Sequence, residues 1–529
     1  MNSNQLNIRL LTSFLFLLLF ISGCNSQPEI STVPIVINLD NQVINYDIEI
    51  GTTIQTVLSL NQIKLNPLDK VNPPVFSVIT EPITVDITRV EETFESEEIV
   101  IPFEQQTVRN ESLPERQTIL IQPGVNGLRE ITYRLLYENG QLFSRTEVRR
   151  IDIINPKPEI LMVGIQTPFT SIPINGKIVY LSSGNAWLME NETSNRKPII
   201  TNGKLDGRIL KLSANGRWLL FTQISEDDEK INELWVIDLE KEEINPLYLK
   251  IDNIIHFADW IPGNTLSVMV STVEPRDVAP GWQANNNLIR LTLGADGKLL
   301  RSQEIIESNS GGIYGWWGTN FQFSPDGKYL LFIRPDGLGL VDLKEEELKI
   351  LSNITPYQTK SDWAWVSPIA WSINNNFVYW VDHKPDTSLE NPELSPFFDL
   401  KAIDIDTNQT LNTIDNVGMF AYPTVFFSQQ NSGGFQIAFL QAIFPDNSDS
   451  SRYRLMLSDR DGSNLQKIFP IDDMQGLEPQ KIFVSPCNQD TNCQLGFIYQ
   501  GNFWIINLYE QLSTFQITGD GLITQIEWN

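Results

Sequence analysis

The sequence predicts a mainly all-β protein: a seven-bladed β-propeller over residues 173–529, preceded by a small α+β module and an extended antiparallel β domain. Three observations carry this. One unit recurs six times between residues 208 and 490, Asp-Gly and Asn-Gly turns punctuate it, and the flanks of the region hold the complementary pieces of a seventh copy.

The clearest unit runs Phe321-Gln322-Phe323-Ser324-Pro325-Asp326-Gly327-Lys328-Tyr329-Leu330-Leu331-Phe332 and on through Leu338 to Leu343. It reads as four strands, 320–325, 329–335, 338–343 and 348–352, because Gly tolerates positive φ in the turns and Asp bonds its own backbone there. Looser copies stand at Leu212–Gly216, Trp260–Asn264, Trp371–Asn375, Phe427–Asn431 and Val484–Cys487. One such sheet cannot bury both faces, so the units must stack around an axis. The segment Gly521–Trp528 looks like an innermost strand, and 177–182, 186–190 and 198–200 look like the outer three strands of a blade lacking one. Joining them removes two open sheet edges. The Phe-Ser-Pro-Asp-Gly signature, with Val236-Ile237-Asp238 and Ala402-Ile403-Asp404 ending strands, resembles the TolB-type (WD40-like) propellers over roughly two-thirds of the chain. That resemblance implies a fold and, for function, a binding platform.

At the other end, Arg9 is followed by an apolar run from Leu10 to Phe20 of secretory length, too short for a membrane span. It closes on Ile21-Ser22-Gly23-Cys24, which resembles a bacterial lipobox. The resemblance implies that residues 1–24 are a lipoprotein signal, that Cys24 is lipidated, and that the protein is extracytoplasmic and held at the cell membrane or surface. Acyl chains supply about 0.8 kcal/mol per buried methylene. The remaining cysteines, Cys487 and Cys493, fall in one turn with no His nearby, so a disulfide is expected and a metal site is not. A net charge of −27 excludes phosphate-neutralising nucleic-acid binding and leaves the lipid as the one route to a membrane.

After a polar spacer (residues 25–31), residues 32–90 read as a hairpin with an Asp40-Asn41 turn, a short helix over 53–60, a loop around 69–73 and a strand over 83–90. With Asp69-Lys70-Val71 and Thr88-Arg89-Val90, this pattern resembles the ubiquitin-like repeats of Gram-positive cell-wall growth factors. Residues 91–166 carry Ile101-Pro102-Phe103-Glu104, Gln122-Pro123-Gly124-Val125-Asn126-Gly127 and Tyr133 with Tyr137-Glu138-Asn139-Gly140. On these the segment is identified as a G-five (five-glycine) domain, with Arg116 where one family glycine is expected. The resemblance implies contact with wall glycan containing N-acetylglucosamine. Alternation in 118–121, 131–137 and 144–148 predicts a half-buried antiparallel sheet.

Little in the sequence points to catalysis. His256 and His383 sit in different units, and there is neither a Gly-x-Ser-x-Gly elbow nor a His/Cys metal spacing. No cofactor is expected. Aromatic residues instead gather in loops that should emerge on one propeller face: Trp282, Tyr314, Trp316, Trp317, Trp363, Trp365 and Tyr422, with Asp362 and His383 among them. Flat rings beside polar groups suit sugars or peptides, whereas Trp260, Trp371 and Trp528, inside innermost strands, should pack between blades. The reading is a non-catalytic surface protein whose partners are peptidoglycan or another wall glycan, a peptide or an envelope protein. The alternatives are a glycan-active enzyme using channel carboxylates and an envelope assembly scaffold.

Overall fold

The computed structural model describes residues 31–529 except 111–112, 114–116, 165–168, 242, 244, 264–265, 360, 387–388, 390, 429–433, 472–473, 489–490 and 509–511. Cys24 with the expected export signal, and Arg116, lie outside the described residues. The chain divides into two compact units, one running to residue 105 and including 123–159, the other comprising 106–122 and 160–529.

In the first unit, β1 (Thr32–Leu39) and β2 (Gln42–Glu49) form the expected hairpin, with Asp40 and Asn41 at φ 50° and 59° in its turn. Thr53 caps helix α1 (Ile54–Leu60), its Oγ1 accepting from the Thr56 N–H. With β3 (Lys70–Asn72) and β4 (Ile83–Thr88) the strands order as β2-β1-β4-β3, β1 and β4 being parallel. The helix buries Ile54, Val57 and Leu58 against Ile35, Ile37, Val85 and Ile87. The two short motifs meet here, because Arg89 Nη1 lies 2.6 Å from Asp69 Oδ2 while Asp69 Oδ1 accepts from the Val90 N–H. Burial alone would raise the Asp69 carboxyl; the Asn66 and Val90 backbone donors and Arg89 bring it below its ordinary value.

The next six strands are β5 (Val90–Ile101), β6 (Gln105–Asn110), β7 (Thr118–Gln122), β8 (Gly127–Glu138), β9 (Gln141–Ile154) and β10 (Glu159–Gly164). They do not make the single half-buried sheet expected from their alternation. They sort into β5-β8-β9 in the first unit and β6-β10-β7 assigned mainly to the second. In β5-β8-β9 the outer strands are exposed along nearly their whole length. Arg129–Asp152, Arg134–Glu92 and Arg145–Glu97 pairs cross the ladder, and the Arg145 guanidinium stands 3.4 Å over the Tyr133 ring. The other sheet adds Val108, Ile160 and Met162 to a cluster with Ile178, Tyr180 and Trp528.

Among the described residues, the rest of the second unit is seven antiparallel sheets in chain order and one short two-stranded ribbon. Six have four strands, spanning 205–252, 257–306, 320–353, 369–414, 424–469 and 483–516, with strand positions within two residues of expectation in the clearest repeat. The seventh joins β11 (Pro173–Ser182) and β12 (Asn185–Ile200) to the strand Ile523–Trp528, with Ile178 opposite Trp528 and Tyr180 opposite Ile526. Residues 198–200, expected as its outermost strand, fall within the span assigned to β12; Asn191 takes φ 68° part-way along, and the chain is back beside the start of β12 by Gly203, whose N–H donates to Asn185 Oδ1.

The Ser-x-Asp/Asn turns explain why the repeat looks as it does. Ser324 Oγ donates to Asp326 Oδ1 and accepts from the Tyr329 N–H, and Ser213/Asn215/Trp218 and Ser372/Asn374/Phe377 repeat that arrangement. Neighbouring innermost strands lie side by side. Trp260 Nε1 donates to the Lys211 carbonyl and Trp371 Nε1 to the Gln322 carbonyl, each on the preceding innermost strand. The last strand meets the first four-stranded sheet through Asn529 Nδ2, which donates to the Ser213 carbonyl. Trp528, 6% exposed, bonds the Asn175 carbonyl. Trp528→Ala should therefore cost about 3–5 kcal/mol in urea unfolding; a loss below about 1 kcal/mol would show that the joining strand carries little of the fold.

Candidate functional site

Innermost-strand positions across the two ends of each repeat converge on one cavity of 780 Å³. Segments from all seven sheets line it: Arg208–Ser213, His256–Pro262, Asn320–Pro325, Ser367–Ile369, Tyr422–Pro423, Lys481 and Gln525. A second pocket of 190 Å³ shares Lys211, Lys481 and Gln525 with it and adds Glu527. Lys211 Nζ lies 3.6 Å from Glu527 and 3.9 Å from Asp259. Burial works against the Lys211 charge, but Glu527 and then Asp259 hold its pKa above the ordinary value. Lys481 faces Lys211, whose charge, with burial adding to it, lowers the Lys481 amine to about 8 despite Glu527 and Asp259. Burial raises the Glu527 carboxyl, with the two lysines opposing.

Aromatic side chains form two groups. In the first, His256, Trp282 and Trp317 meet at ring distances of 5.4–6.0 Å, and Trp316 stands edge-on to Trp317 at 5.9 Å. Trp282 belongs to a two-stranded ribbon, Val273–Pro275 with Trp282–Ala284, inserted in the second four-stranded sheet. Buried Asn286 fixes the loop opposite: its Nδ2 donates to the Asn309 and Gly315 carbonyls, and its Oδ1 accepts from Thr319 Oγ1. The Ala284 N–H donates to the Trp316 carbonyl. Gly318, at φ 140°, lets the backbone lie against the imidazole; a Cβ there would fall 2.4 Å from His256 Cδ2. In the second group the Phe420 ring stands 6.3 Å from both Trp363 and Tyr422, and Tyr422 also lines the cavity.

The expected site residues thus separate. Trp282, Trp316, Trp317, Trp363 and Tyr422 are half-buried with part of each side chain exposed, and Asp362 is exposed. Tyr314 is spent on a hydrogen bond to Glu393 Oε2 at 2.7 Å. Two residues must be corrected. Trp365 is 1% exposed with Nε1 donating to the Met419 carbonyl, and His383 is fully buried. The His383 ring nitrogens contact the Thr355 and Ser395 carbonyls while its face stacks on Phe398. Both are packing residues. Cys487 and Cys493 form a disulfide.

The cavity charges escaped notice in the sequence although a signal existed. Lys211, Asp259 and Gln322 each stand two residues before the turn position of their unit (213, 261 and 324), and Glu527 stands two before Asn529. Aligning the repeats on the turn would have set them side by side. Among the described residues no group of three or more His, Cys, Asp or Glu could hold a metal ion.

Residues 92–166 match the family model described as the G5 domain, so the chain carries a G5 domain. Resuscitation-promoting factor Rpf2 of Corynebacterium glutamicum is 24% identical over 157 residues, 30% of this chain and 42% of that protein. The chain therefore spans less than half the length of that relative. Among solved structures, TolB from Acinetobacter baumannii aligns at 12% identity over 68% of this chain and 79% of its own, with a TM-score of 0.35. The IgA1 protease G5 domain aligns at 24% identity over 15% of this chain and 94% of its own, with a TM-score of 0.13.

His256 gives a test of the aromatic packing. Burial lowers its imidazole to about 4, with the Trp317 backbone opposing and Arg208 adding to the shift. The unfolded chain binds a proton near pH 6.5 that the folded chain refuses until about 4, so stability is full above 6.5 and falls through that window. The loss should approach about 3 kcal/mol in denaturant titrations at pH 7 and 4. His256→Gln should lose correspondingly less over the same interval; an identical acid loss in both proteins would show a freely titrating ring.

Proposed function

We propose that this is a non-catalytic, lipid-anchored surface protein that binds wall glycan through its amino-terminal modules and holds a second ligand in the cavity described above. On this reading Cys24 carries the lipid, 32–90 is a ubiquitin-like module and the G5 region contacts glycan containing N-acetylglucosamine. The seven sheets form a closed seven-bladed propeller that serves as the ligand-holding domain, with a carbohydrate, peptide or protein partner. The observation that carries it is the 780 Å³ cavity lined from all seven sheets, with Tyr422 on its wall. Partly exposed aromatic rings beside hydrogen-bonding side chains favour sugar rings.

One observation favours an enzyme instead. Glu527, its carboxyl raised by burial, and Asp259 share one lysine, and a pair of carboxylates is the equipment of glycoside hydrolysis. Lys211 holds both, however, and either would have to leave it to act as an acid or base.

Soluble wall fragments from muramidase digestion separate the readings. The full chain should bind them without cleaving them, and Tyr422→Ala, on the cavity wall, should weaken binding by about tenfold or more in a protein that remains folded. New products by mass spectrometry, lost in Asp259→Asn, would establish the enzyme. In cells, Cys24→Ala should move the protein from the membrane fraction to the soluble one; continued membrane association would remove the lipid from this account.

A further inference from the structure

The chain is strongly acidic, with a formal net charge of −27, but its cavity is not. Among the lining side chains Arg208, Lys211, Arg217 and Lys481 face a single carboxylate, Asp259. Arg217 is engaged outside the count by Asp238, Nη2 to Oδ2 at 2.7 Å. Lys211 is engaged by Asp259 and by Glu527 from the adjoining pocket. That leaves Arg208 and Lys481. Neither has a carboxylate within 4.0 Å among the described residues. Each stands near a ring, the Arg208 guanidinium 5.3 Å over Trp282 and Lys481 Nζ 5.3 Å from the Phe483 ring. Two further groups in the same lining lack partners. Asn320 Oδ1 and Gln525 Oε1 are buried and accept no hydrogen bond among the described residues.

We propose that the cavity is a binding site for a saccharide bearing a carboxylate, with Lys481 and Arg208 taking the acid and Asn320 and Gln525 accepting from its hydroxyls. Cations with no carboxylate in ion-pair contact among the described residues, set in a recess whose lining is more basic than the acidic chain as a whole, select an anion. The orphaned amide oxygens select a donor-rich ligand. A sugar offers several O–H donors within a few ångströms, whereas a peptide offers a carbonyl acceptor for nearly every N–H. Tyr422 supplies an aromatic wall. This deepens the preceding reading and depends on the cavity being the ligand site.

The charged groups facing Lys481 are Lys211 on the first innermost strand, Asp259 on the next and Glu527 on the last. Lys211 dominates and sets the Lys481 amine at about 8. The amine is therefore charged below that pH and loses its charge above it. Anion binding should follow the same curve.

The test uses matched sugars on the full chain by titration calorimetry or ligand-observed NMR: glucuronic acid against glucose, and N-acetylmuramic acid against N-acetylglucosamine. Each acid should bind about tenfold or more tightly than its neutral counterpart. Lys481→Gln should abolish the preference. Lys481→Arg should keep it and should stay flat between pH 7 and 9, where the parent weakens. Equal binding of acid and neutral sugars would overturn the anion site while sparing the cavity as a ligand site. Tighter binding of glucose 6-phosphate than of either acid would overturn the carboxylate. Binding of wall fragments with no response to cavity variants would overturn the cavity itself.

Discussion

A sheet edge left unpaired exposes a row of backbone donors and acceptors, and seven stacked sheets can share their faces only if the first and last also find partners. The pairing of Ile523–Trp528 with β11 meets this demand. It gives β11 a second neighbour, places Trp528 in a cluster with Tyr180 and Phe503, and brings Glu527 to Lys211. The cavity therefore owes one wall and one charge to this pairing. Removing it would leave Lys211 with Asp259 alone and open the pocket that Glu527 helps to line.

The cavity's electrostatics follow from how four charges are shared. Lys211 pairs with two carboxylates at once, and at the Lys481 amine its charge outweighs those of Glu527 and Asp259. Where burial is shared, such arrangements trade stability for selectivity: a compensated pair is structural, and the cation outside it remains available. Gly318 and Asn286 do the equivalent for the aromatic group, one by admitting the backbone against His256 and the other by tying down 309–319.

Strands and turns were legible because they are local. Ser-Pro-Asp-Gly closes its own hydrogen bonds within five residues, and Asp40-Asn41 does the same for the first hairpin. What a side chain faces was legible only where the repeat itself encodes it, as for Trp260 and Trp371. His383 and Trp365 were misjudged because their surroundings come from elsewhere: Ser395 from a following loop, Thr355 from a preceding one and Met419 from the loop leading to the next sheet. The G5 residues were recognisable from motif order, yet alternation could not tell that Thr118–Gln122 pairs with Glu159–Gly164 rather than with β8. A period of two reports that one face differs from the other, not which strand lies alongside.

The sheet β5-β8-β9 has a liability that its composition answers. With β8 inside, β5 presents one side of its backbone to no neighbour among the described residues, over twelve positions exposed nearly throughout. Bare strands of this length recruit copies of themselves. Glu91, Glu92, Glu95, Glu97 and Glu98 line this one and no basic residue interrupts them. Two molecules meeting along it would press glutamate against glutamate. Part of the chain's acidity thus acts as a local guard against self-templated stacking.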